Sequence, residues 1–133
     1  MSAFVNGFRW VMVVSGVLTC TMFYAALAPV ASQQSNFGEA LDGPLAQILV
    51  RNWGVLVGLV GLMLIYGAFS DVNRRMVLLV ATASKVAFIA LVLTFGQQFL
   101  PFQVGTAVIV DSVIVVLFAL YLVATRRRGA GRA

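Results

Sequence analysis

Two residues stand where their surroundings make chemistry conspicuous. Lys85 sits inside ATASKVAFIALVLTF and Asp111 inside VGTAVIVDSVIVVLFALYLV, two runs apolar enough to lie in lipid. A charge near the bilayer centre costs about 2.5–3.5 kcal/mol on insertion scales, so neither residue is there by default. Opposite signs on consecutive segments make each the natural partner of the other. An isolated lysine in apolar surroundings could serve as a nucleophile or base. A lysine paired with a carboxylate instead fixes helix register or binds a polar ligand.

Arg51 is the third candidate. At 1.5 Å per residue, Lys85 lies about 14 Å, Asp111 about 21 Å and Arg51 about 28 Å above a common inner edge. Steps of about 7 Å are within the reach of Lys and Arg side chains. The expected site is therefore Asp111 bridged by Lys85 from one side and Arg51 from the other. Ser15, Thr19 and Asn52 are its expected neighbours. Ser15, Thr19 and Met22 share one helical face, a pattern that also suits plain helix packing. Gly54 and Gly58 form a GxxxG pair that Gly61 extends, and this edge is read as a packing surface that turns Arg51 toward the protein interior. With two cations around one anion, such a site would suit an anionic or carbonyl-bearing ligand.

Other chemistries find little support. The chain has no histidine and a single cysteine, Cys20, so it lacks His-based metal or haem ligation, an internal disulfide and a CxxC motif. No catalytic residue, metal or cofactor is expected. Glu39 and Asp42 are three residues apart in a polar loop and read as solvated. Small multidrug transporters carry an essential glutamate in their first helix; the first helix here has no acid.

The elements that hold these residues follow from composition. Of 133 residues, 62% are hydrophobic and only 10% charged, against about 25% charged in a soluble domain. The expected fold is all-α: a polytopic, antiparallel four-helix transmembrane bundle in one domain. Its helices should cover about 8–28, 48–69, 76–95 and 104–125, with an outer loop over 29–47 and a basic tail over 126–133. Pro29 should end the first helix, and a small surface helix is expected around Phe37–Leu41 before a Gly43–Pro44 break. The first apolar run is longer than a usual signal core and is read as a retained span.

Arg9, Arg74, Arg75, Arg126, Arg127, Arg128 and Arg132 fall on one side of this plan, and only Arg51 on the other. The positive-inside rule then places both termini in the cytoplasm and the protein in the inner membrane. The expected partners are the lipid bilayer, anionic lipid at the arginine tail, and a second copy or a larger membrane complex, with no nucleic acid.

The run RNWGVLVGLVGLMLIYGAF over 51–69, the basic turn VNRRM over 72–76 and the tight helices after it resemble the broad DoxX-like group of small bacterial four-helix membrane proteins. The resemblance implies the four-helix plan and, as for some members, a link to redox or stress pathways in the membrane. The functional expectation is an accessory, scaffold or self-associating membrane subunit with a buried polar cluster. A small transporter or binder acting at Arg51, Lys85 and Asp111 is the alternative.

Overall fold

A computed structural model describes residues 2–132, excluding the side chains of residues 2, 3, 5 and 127–132. The tail side chains of Arg127, Arg128 and Arg132, and residue 133, lie outside the described residues. The described chain forms helices α1 (Ser2–Cys20), α2 (Phe23–Leu27), α3 (Pro29–Phe37), α4 (Pro44–Ala68), α5 (Arg74–Phe95) and α6 (Gln103–Arg132), with a 3-10 turn at Gln97–Phe99. Four stretches are long and apolar enough to cross a membrane: Asn6–Leu27, Pro44–Ala68, Arg74–Phe95 and Gln103–Arg126.

The first span is bent. The Thr21 and Met22 amides donate to the Leu18 and Thr19 carbonyls, three residues back, and the Thr21 hydroxyl takes the Leu18 carbonyl as well. Local hydroxyl bonds of this kind compete with the helical ladder and bend it. The bend lays α2 along α4, where the glycines make room. A Cβ on Gly54 would come within 2.8 Å of the Met22 carbonyl, and one on Gly61 within 2.7 Å of the Gly16 carbonyl. Gly54, Gly58 and Gly61 thus form an intramolecular seam with α1 and α2.

The expected surface helix around Phe37–Leu41 is displaced. Helix α3 starts at Pro29 and ends at Phe37, because Pro29 fits a first helical turn and Gly38, at φ 77°, supplies the left-handed C-terminal residue. The buried Gln33 side chain anchors the loop after α3 by accepting from the Leu41 amide at 3.0 Å. Pro44 likewise begins a helix where a break was expected, so α4 starts four residues before Ile48. Helix α6 continues beyond residue 125 into the basic segment.

Arg74 locks the α4–α5 turn. Its guanidinium donates to the Gly67 and Ala68 carbonyls at 3.0 and 2.6 Å, satisfying acceptors that a helix C-terminus leaves open, and to the Tyr121 hydroxyl on α6 at 3.3 Å. Asp71 pairs with it at 3.0 Å. Around this end, Phe8, Met12, Leu64, Leu78, Phe118 and Tyr121 form the larger core cluster, with Phe8 stacked on Tyr121 at 4.1 Å. A smaller cluster of Val92, Val104 and Val108, with Phe37, Phe88 and Phe99, closes the other end.

Gly61→Leu should lower stability by about 1–3 kcal/mol, because the Cys20 amide nitrogen and the Gly16 carbonyl oxygen that obstruct it are backbone. Gly7→Ala, with open space around it, should be neutral or slightly stabilising. Thermal unfolding in detergent reads both; equal midpoints for the two variants would contradict the seam.

Candidate functional site

Lys85 lies about halfway along α5, on the stripe that buries Leu78, Ala81 and Val92. This position falls between the two apolar clusters. Asp111 occupies the matching gap on α6, between Val108 and Ile114. Lys85 Nζ donates to Asp111 Oδ1 at 2.8 Å and to Thr19 Oγ1 on α1 at 3.3 Å. Thr19 in turn donates its hydroxyl to the Ser15 carbonyl at 2.7 Å. One ammonium therefore joins three helices, and the chain of bonds ends on the α1 backbone.

Burial makes this pair consequential. The Lys85 side chain is 8% exposed and that of Asp111 19%. At this depth neither charge has bulk water to fall back on, and their mutual contact replaces it. A pair in such a setting adds little net stability, yet leaving one partner alone is costly.

The other expected members are placed differently. Arg51 is exposed, and its Nη1 donates to the Ala26 carbonyl instead of bridging Asp111. The physical reason is the bend in the first span, which carries the backbone of α2 alongside the start of α4. Gly54, Gly58 and Gly61 centre the buried stripe of α4, whereas Arg51 lies at its margin with the exposed Leu62 and Phe69. Asn52 is exposed on α4 and makes none of the hydrogen bonds of the pair. Ser15 is 1% exposed; its carbonyl takes part through Thr19, while its own hydroxyl has no partner.

Thr19 enters the site as the second direct partner of Lys85, a stronger role than neighbour. Arg74 is the residue that sequence reasoning missed. Its position in a short basic turn points to topology, and only the folded chain brings the Gly67 and Ala68 carbonyls and Tyr121 within its reach.

A chain with four such spans and charges paired within them is a multi-pass membrane protein. No family model, curated protein or solved structure matches it.

Lys85→Met should destabilise the protein by about 3–5 kcal/mol, because it strands Asp111. The double replacement Lys85→Met with Asp111→Leu removes both charges and should recover most of that loss. Reversible denaturant unfolding in mixed micelles measures both; a double variant as unstable as the sum of the single ones would show that the two residues do not act as a pair.

Proposed function

We propose that this chain is a small structural subunit of the membrane, an accessory or self-associating scaffold whose Lys85–Asp111 pair sets the register of its helices. The observation that carries the reading is the Lys85 ammonium, which spends its contacts on Asp111 of α6 and Thr19 of α1. The two charges at this depth are engaged with one another. Meanwhile only 28% of each spanning window is buried inside the bundle, which leaves a wide apolar surface for lipid or for other membrane helices.

The alternative, a carrier or binder of an anionic or carbonyl-bearing ligand at Arg51, Lys85 and Asp111, needs a second cation beside the carboxylate. Arg51 is engaged at Ala26, so this reading lacks its central element. The plan of the chain, which resembles the DoxX-like group, agrees with either reading and does not separate them.

We place both termini in the cytoplasm and the protein in the inner membrane, on the excess of Arg9, Arg74, Arg75 and the tail arginines over Arg51. The arginines beyond the last span suit anionic lipid, whose attraction is worth about 1 kcal/mol per basic residue near the surface.

Crosslinking in native membranes should trap species well above the 14.3 kDa of the chain. A chain that stays monomeric in native membranes, with no co-migrating partner, would overturn the scaffold reading. For orientation, a C-terminal reporter that is active only in the cytoplasm should be active, and the same reporter inserted after Asp42 should be silent.

A further inference from the structure

A pocket of about 310 Å³ opens beside the smaller core cluster, where α3, α4, α5 and the 3-10 turn meet. Five of its eight lining residues are aromatic: Phe37, Trp53, Phe88, Phe95 and Phe99. Their rings are not stacked flat on one another. Phe37 meets Phe99 edge to face, at 82° and 5.3 Å between centroids, and Trp53 at 42° and 6.1 Å. The rings therefore stand as walls set at angles. The lining starts at Phe88, inside the third span, and runs past the end of that span to Gly96 and Phe99, so the pocket reaches the membrane–water boundary.

We propose that this pocket binds a small, water-borne quaternary ammonium ion. The lining and its surroundings select this class. Aromatic rings attract a cation through the negative faces of their quadrupoles. No lining side chain carries a hydrogen-bond acceptor, so a primary ammonium would give up its hydrogen bonds to water, whereas a quaternary ion has none to lose. Charge at this end points the same way. Glu39 is exposed, makes no ion pair among the described residues, and has its Cα within about 7.6 Å of that of Phe37. Asp42 is exposed and free of an ion pair as well, and Arg51, the cation closest to both in sequence, is engaged at the Ala26 carbonyl. This balance disfavours the headgroup of a choline lipid, whose phosphate needs donors or cations: the indole N–H of Trp53 is the one side-chain donor in the lining.

Trp53 is the reporter, with Trp10→Phe as background, since the chain has two tryptophans. The protein is placed in nanodiscs of phosphatidylethanolamine and phosphatidylglycerol, which leave both faces open and contain no choline. It is titrated with choline, with the neutral isostere 3,3-dimethyl-1-butanol and with ethanolamine. Choline should shift the Trp53 emission saturably and bind at least about fivefold more tightly than either control. Phe95→Leu, at an exposed position of the lining, keeps an apolar side chain but removes one ring; it should bring choline down toward the level of the isostere and leave the isostere unchanged. Glu39→Gln should weaken choline by about twofold at low salt and have no effect near about 1 M salt, where a surface charge is screened. Equal binding of choline and its isostere overturns the proposal, because the pocket is then an apolar slot for lipid chains. So does a choline affinity indifferent to Phe95→Leu. Loss of the choline response when phosphatidylcholine replaces phosphatidylethanolamine overturns it too, because a lipid headgroup then fills the pocket.

Discussion

The ion pair between Lys85 and Asp111 is the constraint around which the rest of the bundle is arranged. Inside hydrocarbon a charge has few acceptable neighbours, and here each charge has one at 2.8 Å. The contact ties α5 to α6, and the second bond of the ammonium ties both to α1. Two apolar clusters lie to either side, so the polar layer divides the interior into two greasy compartments. Sliding any of the three helices by one turn would separate the charges, whereas apolar packing alone tolerates such slips more readily.

The contacts around this layer use backbone as much as side chain. The α1–α4 seam relies on glycines that bring backbones together, and the α4–α5 turn relies on one arginine that satisfies carbonyls at the end of α4. Both devices suit a membrane, where burying apolar surface drives helix association less than it does in water and where close contact and satisfied polar groups carry more weight.

The four spans were legible in the sequence because apolar runs of this length have few other meanings. The pairing of Lys85 with Asp111 was legible too, since a lone charge of each sign in consecutive spans leaves few solutions. Arg51 was misjudged because height along a straight helix says nothing about azimuth or about bends elsewhere. The bend at Thr21 and Met22 brought the Ala26 carbonyl to Arg51, and no period in the sequence marks that bend. Pro29 and Pro44 read as stops yet serve as starts, because proline lacks an amide that the first helical turn would leave unpaired in any case. The contacts of Arg74 escaped notice because its partners, save for the nearby Asp71, lie on other helices.

The bond from Lys85 to Thr19 has a consequence for the order in which the chain is made. Synthesis proceeds from the N-terminus, so Lys85 is produced before Asp111 and the third span precedes its counter-ion. Until α6 arrives, the hydroxyl of Thr19 is the partner of Lys85 that has already been synthesised. The first span thus offers the lysine a temporary foothold, and the last span completes the assembly by supplying the negative charge. A weak hydrogen bond in the finished bundle is, in the nascent one, the contact that makes waiting tolerable.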